Sequence, residues 1–247
     1  VLRDEALAGS LDLKQAQSRV REARARRGIA SAARFPSIDG SGSAVMRKEV
    51  RQDPDELFTL GFDAAWELDL FGRVTRNMEA ATADMQAQIE SARAVRVSQL
   101  GELALNYVEY RTYQTRLDLA RSNVETLEKT LKVVQTRVES EVADRLQLAR
   151  AESNLATGLA RIPPLVTGLH RAAHRLAVLV GKRPGALTRT LEPKRSVPTS
   201  PASVAIGIPA DLLRRRPDIR RAERELAAQS ARVGVAMADL YPRFTFH

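Results

Sequence analysis

The feature that most constrains the fold of this chain is an internal repeat. A shift of the sequence by 206 positions, without a gap, superposes acidic residues, glycines and prolines on their counterparts: Asp12 on Asp218, Gly28 on Gly234 and Pro36 on Pro242. A period this long indicates a duplicated domain, since solenoid units recur every ~20 to 50 residues. Because the chain ends soon after Pro242, we expect the natural protein to continue with another strand pair and another long helical coil.

Each copy begins with apolar residues at helical spacing. These are Leu13, Ala16, Val20, Ala23 and Ala30 in the first copy and Ile219, Ala222, Leu226, Val233, Ala236 and Leu240 in the second. Ser10 suits the N-cap of the first helix, and Pro217 suits the first turn of the second. Pro36 and Pro242 end both helices, because proline lacks an N–H donor and favours extended backbone before it. Helix therefore gives way to strand at the same point of both copies.

Residues 58–70 have the alternation of a strand with one apolar face. The apolar positions are Phe58, Leu60, Phe62, Ala64, Trp66, Leu68 and Leu70. Residues 37–46 are predicted as the partner strand, joined through a charged loop, 47–57, that turns at Asp53–Pro54. A half-buried sheet in a soluble protein has the same pattern, but aromatic residues near the ends of the apolar face are typical of lipid-facing strands. We expect four residues to face lipid (Phe58, Leu60, Phe62 and Trp66) and two to face a lumen (Asp63 and Glu67).

The following residues predict two long antiparallel helices. No proline occurs between Pro54 and Pro163, and a heptad seam comprises Tyr110, Tyr113, Leu117, Ala120, Val124, Leu127, Leu131, Val134 and Val138. A helix over residues 73–139 would be about 100 Å long. A second seam comprises Leu155, Leu159, Ile162, Leu165, Leu169, Ala172, Leu176 and Leu179, with a break expected at residues 162–164. The turn between the helices is predicted at 140–145.

The predicted fold class is therefore mainly α with a small β part. The predicted segments are a first-repeat helix (1–35), a β-hairpin (36–72), a long helical hairpin (73–181), an irregular linker (182–210) with four prolines between residues 192 and 209, a second-repeat helix (211–241) and the start of a third strand (242–247).

Composition excludes several function classes. The chain has no cysteine, so disulfides, thiolate metal sites and a cysteine nucleophile are excluded within it. The chain has no run of 18 or more apolar residues, so no transmembrane helix is predicted. The formal net charge of +9 would suit nucleic acid, but the arginines are scattered over the helices and are not interleaved with stacking aromatics. We therefore expect no nucleic-acid binding.

No enzyme motif is present. His170 and His174 are four residues apart, but arginines flank them and no HExxH glutamate accompanies them, so exposed helix-face histidines are favoured over a metal site. Residues 181–185 lack phosphate-loop spacing. Asp63, Glu67 and Asp69 lie on one strand face, which favours a water-lining surface over paired catalytic carboxylates. We expect neither catalysis nor a cofactor.

Two motifs carry a family resemblance: WELDLFGR at residues 66–73 and RRPDIR at residues 215–220. With the order of elements and the segment Val233–Gly234–Val235–Ala236, they resemble the outer-membrane efflux proteins of the TolC superfamily, of the NodT and OprM type. The resemblance covers essentially the whole chain. A soluble coiled-coil scaffold, with or without nucleic acid bound to its basic surface, is the alternative.

The resemblance implies a homotrimer in the bacterial outer membrane. Its protomers would share a transmembrane β-barrel and a periplasmic helical barrel, and it would export small molecules such as drugs with a periplasmic adaptor and an inner-membrane transporter. The helix turn would then contact the adaptor through Ser140, Glu141, Val142, Asp144 and Arg145. The family often has glycine in this turn, where this chain has Ser140–Glu141–Val142.

Overall fold

A computed structural model describes residues 2–47, 55–199 and 209–247. Its elements are α1 (Leu2–Gly9), α2 (Leu11–Ala32), β1 (Ser37–Arg47), β2 (Asp55–Leu68), α3 (Arg73–Glu139), α4 (Arg145–Ala160), α5 (Ile162–Leu179), α6 (Thr188–Leu191), α7 (Pro209–Arg215), α8 (Pro217–Ala238) and β3 (Phe244–Phe246). Helix predominates and the strands form one small sheet, which confirms the predicted fold class.

The elements fall into two compact units. One, the helix unit, contains α1, α3 from Arg96 onward, α4, α5 and α6. The other, the strand unit, contains α2 from Lys14 onward, α3 up to Val95, the three strands, α7 and α8. The 67-residue helix α3 therefore contributes residues to both units.

The repeat is visible in the helix boundaries. Under the 206-residue shift, the ends of α2 at Leu11 and Ala32 map onto the ends of α8 at Pro217 and Ala238. The two helix starts are built differently. Ser10 Oγ accepts the Leu13 N–H at 3.1 Å and caps α2 as predicted, whereas Arg216 precedes α8 without a side-chain cap and Pro217 supplies the first residue. Proline is tolerated there because the first-turn N–H has no partner within the helix.

The sheet has the order β1-β2-β3 with antiparallel neighbours. Ser37 pairs with Ala65 and Arg47 with Asp55, while β3 pairs with the end of β2 through Trp66–Phe246 and Leu68–Phe244. β2 is shifted relative to the prediction: it includes residues 55–57, and it ends at Leu68 because Asp69 turns away to cap α3. The predicted turn at Asp53–Pro54 lies outside the described residues.

The heptad seam of α3 packs as predicted along the helix unit. Tyr110, Leu117 and Val124 are buried, while Arg116 and Arg121 are exposed. Glycines on the opposing helices make room for the seam. A Cβ on Gly168 would clash with the Tyr113 ring, and a Cβ on Gly158 would come within 2.8 Å of Leu127 Cδ1. The absence of a side chain at these two positions lets α4 and α5 approach α3 closely.

The second seam is wrong at Leu159. This residue is 46% exposed, whereas the adjacent Gly158 is buried against Leu127 and Val124. Position 158 keeps the 3/4 spacing between Leu155 and Ile162, so Gly158 occupies the seam position and the larger Leu159 next to it is exposed. The helix changes just beyond this point: α4 ends at Ala160, and α5 begins at Ile162 with prolines in its first turn, which confirms the break predicted at residues 162–164.

The apolar face predicted for α8 is not buried within the described chain. Leu226, Val233 and Leu240 are exposed, and the buried positions are Ala228, Ala231 and Ala238. α8 approaches α3 at Gly234, where a Cβ would lie 3.0 Å from Arg76 Cγ. The Arg232 guanidinium binds the Asp84 carboxylate at 2.5 Å beside this contact. Small side chains permit the close approach, so the larger apolar ones point elsewhere.

The linker predicted at residues 182–210 contains two helical pieces, α6 and the start of α7, while residues 200–208 lie outside the described residues. Gly181 ends α5 as predicted. Its φ of 70° is left-handed, the Gly181 N–H donates to the Val178 carbonyl at 2.9 Å, and the Lys182 N–H donates to the Ala177 carbonyl at 2.8 Å. This is a Schellman ending, which glycine adopts without steric cost.

Candidate functional site

The register of β1 and β2 gives the strand pair one apolar face. Phe58, Leu60 and Phe62 lie opposite Ala44, Gly42 and Gly40, and directly opposed residues share a face in an antiparallel pair. Phe62 lies over Gly40, since a Cβ there would be 3.3 Å from Phe62 Cε1. Phe58, Leu60 and Phe62 are 74%, 82% and 77% exposed. Large apolar groups side by side on the surface indicate a face that meets an apolar environment.

The other face of the pair is polar. Asp63 lies opposite Asp39, and Thr59 lies opposite Ser43. Asp63 is exposed on this face. Glu67 lies further along the same strand, but its carboxylate accepts from Arg73 Nε at 2.8 Å and also pairs with Arg73 Nη2. The two residues predicted to face a lumen therefore have different surroundings.

The WELDLFGR motif forms the junction of β2 and α3. Trp66 Nε1 donates to the Arg34 carbonyl at 3.0 Å and ties the strand to the end of α2. Asp69 accepts the Val74 and Thr75 N–H groups, each at 2.8 Å, and so caps a helix whose N-cap residue, Gly72, has no side chain.

Burial tends to raise the pKa of Asp69, but hydrogen bonds from Thr75 and Val74 outweigh it and hold that pKa below its ordinary value. Gly72 has a φ of 76°, which allows the sharp turn. Phe71 stacks on Tyr241 with ring centroids 4.6 Å apart. The motif is thus a junction that fixes how the strand pair leaves the helices of the strand unit.

The RRPDIR motif forms the corner between α7 and α8. Arg216 donates from Nε and Nη2 to the two carboxylate oxygens of Asp218, at 3.1 and 2.7 Å, and this contact lowers the pKa of Asp218. Arg220 Nε donates to the Arg214 carbonyl at 2.8 Å. The arginines of this motif therefore fix the path of the chain into the second repeat.

The turn after α3 has a defined geometry. The Glu141 N–H donates to the Val138 carbonyl and the Val142 N–H to the Arg137 carbonyl, at 3.0 and 2.9 Å. This is again a Schellman ending, and here Glu141 occupies the left-handed position with a φ of 59°. Ser140 Oγ donates to the Thr136 carbonyl. Within the described ranges, Glu141 is the only non-glycine residue with a positive φ.

The start of α4 completes the turn. Asp144 Oδ1 accepts the Gln147 N–H at 2.8 Å and is the N-cap of the helix. Arg145 is exposed, and Val142 is 71% exposed at the end of the helical pair. Of the five residues predicted for this turn, Ser140 and Asp144 have side chains that are hydrogen-bonded to the backbone. Glu141, Val142 and Arg145 present exposed side chains.

Sequence reasoning missed Arg111. It is only 2% exposed, and its Nη1 donates to the carbonyls of Leu191 and Pro193 at 3.0 and 2.8 Å. Its guanidinium also lies over the rings of Tyr107 and Tyr110. Burial raises the pKa of Tyr110. Arg111 therefore anchors the chain that leaves α6, and its place beside a tyrosine of the heptad seam was the available indication.

The described residues do not assemble a metal centre. His170 and His174 have ring centroids 6.3 Å apart on one helix, and no group of three histidine or acidic residues within the described ranges could hold a metal ion. Within the same ranges, no helix is both long and apolar enough to cross a membrane.

Comparisons with a family model, with similar sequences and with solved structures point to one class of protein. The family model described as outer membrane efflux protein matches residues 2–182. Nodulation protein T of Rhizobium leguminosarum bv. trifolii is 33% identical over 98% of this chain and 53% of its own length. The pyoverdine export outer membrane protein OpmQ of Pseudomonas aeruginosa is 31% identical over 99% of this chain and 54% of its own length.

A solved structure of the outer-membrane channel OprN is similar with a TM-score of 0.88 and 38% identity. The match covers 99% of this chain and 56% of that one. The chain thus spans about half the length of the proteins that it matches.

Proposed function

We propose, given that this chain belongs to the outer membrane efflux protein family, that it forms part of the wall of a passive channel that exports small molecules across the bacterial outer membrane. In this proposal β1 and β2 belong to a transmembrane β-barrel, and the helix unit belongs to a periplasmic helical conduit. The relatives' names support an export role, since one relative is a pyoverdine export protein and another a toluene efflux pump protein.

The strand pair carries the proposal. Its apolar face holds Phe58, Leu60 and Phe62 exposed, while the opposite face holds Asp39, Thr59 and Asp63. In a barrel wall the first face meets lipid and the second lines water. Trp66 belongs to the lipid side near the end of the strand, where aromatic side chains are enriched at the membrane boundary. A free coiled-coil scaffold gives no reason for this division of faces.

The proposed assembly is a homotrimer that works with a periplasmic adaptor and an inner-membrane transporter. In it, the turn between α3 and α4 is the contact with the adaptor, through the side chains of Glu141, Val142 and Arg145. Ser140 and Asp144 hold the backbone of the turn in shape. The chain acts as a conduit and not as an enzyme. Its surfaces line a passage or contact partner proteins, and it uses no cofactor.

The test uses the full-length protein that contains this chain. Leu60→Arg places a charge on the proposed lipid face, at a cost of about 2–4 kcal/mol near mid-bilayer. We expect this variant to assemble poorly in the outer-membrane fraction. Thr59→Arg is the matched control, because the adjacent residue faces the other side of the strand. If both variants assemble as well as the wild type, the Leu60 side does not face lipid and the proposal fails.

A further inference from the structure

A cavity of about 450 Å³ lies in the strand unit, where α2 ends and the strands begin. Phe35, Pro36 and Trp66 give it an aromatic and apolar wall, and the Glu67–Arg73 ion pair lies at its polar side. Phe35 is exposed. The indole of Trp66 is held in place by its hydrogen bond to the Arg34 carbonyl. The cavity is therefore lined by aromatic and aliphatic groups together with one charged pair and two hydroxyl residues, Ser37 and Thr245.

The helix that leads to this cavity is strongly basic. Residues 19–34 contain six arginines and a single acidic residue, Glu22. Glu22 pairs with Arg26 at 2.6 Å, and Arg27 donates to the Thr82 hydroxyl. Arg19, Arg24 and Arg34 have no ion-pair partner within the described ranges. The end of α2 therefore carries positive charge that no acidic residue of the described chain neutralises. Arg34 is the last of these arginines, and it directly precedes Phe35, which lines the cavity.

We propose that this recess binds an anionic phospholipid, with the phosphate at Arg34 and the acyl chain along Phe35 and Trp66. The inference rests on the proposed membrane location of β1 and β2, which begin three residues after Arg34. Basic residues next to a membrane-spanning segment attract anionic headgroups, and aromatic residues lie at headgroup level. Because Glu67 compensates Arg73 inside the recess, the nearest uncompensated positive charge in the sequence is that of the exposed Arg34, which lies between the lining residues Ala33 and Phe35.

The experiment uses the full-length protein, purified in detergent, freed of lipid and then given dioleoylphosphatidylglycerol or dioleoylphosphatidylcholine. Native mass spectrometry counts the retained lipid. We expect the wild type to retain phosphatidylglycerol preferentially. Arg34→Gln should lower that retention about fivefold and leave phosphatidylcholine unchanged. Arg150→Gln is the matched control, since Arg150 is an exposed arginine on α4 in the helix unit. It should behave as the wild type.

Three results would overturn the inference. The first is equal retention of the two lipids by the wild type, and the second is unchanged phosphatidylglycerol retention in Arg34→Gln. The third is full displacement of the lipid by an equal concentration of inorganic phosphate, which would identify a free-anion site. Failure of the proposed function has a different readout: the protein would be recovered without detergent, whereas Arg34→Gln should stay in the outer-membrane fraction.

Discussion

At the scale of single residues, the turn after α3 holds one residue in an unfavourable backbone conformation. Glu141 has a left-handed backbone, which costs a residue with a Cβ about 1–2 kcal/mol relative to the right-handed helix. The Schellman hydrogen bonds of the Glu141 and Val142 N–H groups offset this cost. The family resemblance places a glycine in this turn, and glycine would adopt the same backbone without the steric penalty.

Glu141→Gly should therefore stabilise the full-length protein by about 0.5–1 kcal/mol, as measured by its thermal or urea unfolding. Glu139→Gly is the matched control. Glu139 is the last residue of α3, so glycine there should destabilise by up to about 1 kcal/mol. Equal effects of the two substitutions would show that the left-handed position carries no steric cost.

Asp69 gives a prediction for pH. Its pKa is lowered in the folded chain, so its contribution to stability is fully present above the unfolded value near 3.8 and is lost as the pH falls through the lower folded value. Asp69→Asn should cost about 1 kcal/mol at pH 7, because one cap acceptor and the charge at the helix start are lost. The difference from the wild type should shrink below the ordinary pKa of an aspartate.

Urea unfolding of the full-length protein at pH 7 and below pH 4 measures the Asp69 effect. Glu128→Gln removes an exposed charge from the middle of α3, and it should change the free energy of unfolding by less than about 0.5 kcal/mol at pH 7. A pH-independent loss in Asp69→Asn would mean that the carboxylate charge does not contribute.

Residue patterns predicted some of these positions and not others. Ser10 and Gly181 were predictable because capping and left-handed endings depend on residue type at one position. Arg111 was not predictable as an anchor, because an arginine in a helix is usually exposed. Its burial depends on carbonyl groups about 80 residues away in sequence, and no local pattern contains that contact.

At the scale of elements, glycine positions determine how closely the helices of the helix unit approach. Gly168 faces the Tyr113 ring, and Gly158 faces Leu127. Gly101 lies in α3 with nothing within 4 Å of its hypothetical Cβ. The same substitution should therefore have opposite effects at Gly168 and Gly101.

Gly168→Ala should destabilise the full-length protein by about 1–3 kcal/mol through overpacking, while Gly101→Ala should stabilise it by about 1 kcal/mol through helix propensity. Urea unfolding measures both. In a Tyr113→Ala background, Gly168→Ala should cost less than it does in the wild type, because the ring that the new methyl group meets is gone. A Gly168→Ala variant as stable as the wild type would show that the Tyr113 ring moves away at no cost.

The elements themselves were largely predictable, because the hydrophobic periodicity and the helix-ending prolines are strong signals in this sequence. The uninterrupted heptad seam predicted α3, and the prolines predicted the breaks at residues 36 and 162–164. The errors concern which face packs. Leu159 was misplaced because Gly158, which fits the same 3/4 spacing, takes the seam position, and a glycine gives no hydrophobic signal. The buried face of α8 was missed because its buried positions are alanines, and because Gly234, which has no side chain, is the residue that lies against Arg76 of α3.

At the scale of the whole molecule, the proposed adaptor contact predicts a loss of export without a loss of folding. Val142 is 71% exposed in the turn, so Val142→Asp should leave the thermal unfolding of the full-length protein unchanged within about 0.5 kcal/mol. Export of a fluorescent pump substrate by a strain that depends on this protein should fall. The fall would come from a charge placed in the proposed contact.

Val133→Asp is the control for that export experiment, since Val133 is a 58% exposed valine on α3 away from the turn. It should preserve both export and unfolding temperature. Unchanged export in Val142→Asp would mean that this turn does not meet the adaptor. Loss of stability in parallel with export would assign the turn a structural role instead.

The contact of α1 with the end of α5 has a consequence for the order in which the chain matures. Gly9 lies directly against Val180 and Gly181, and Glu5 binds Lys182 at 2.8 Å. α1 is made before α3 and α5, yet its docking site is completed only when Lys182 has emerged. At about 5–20 residues per second, synthesis of the intervening chain takes roughly 10–35 s. For the last part of that interval α1 can contact only α3 in its own unit, where Gln99 donates to the Ala6 carbonyl, and the face that meets α5 is open to capture by a chaperone.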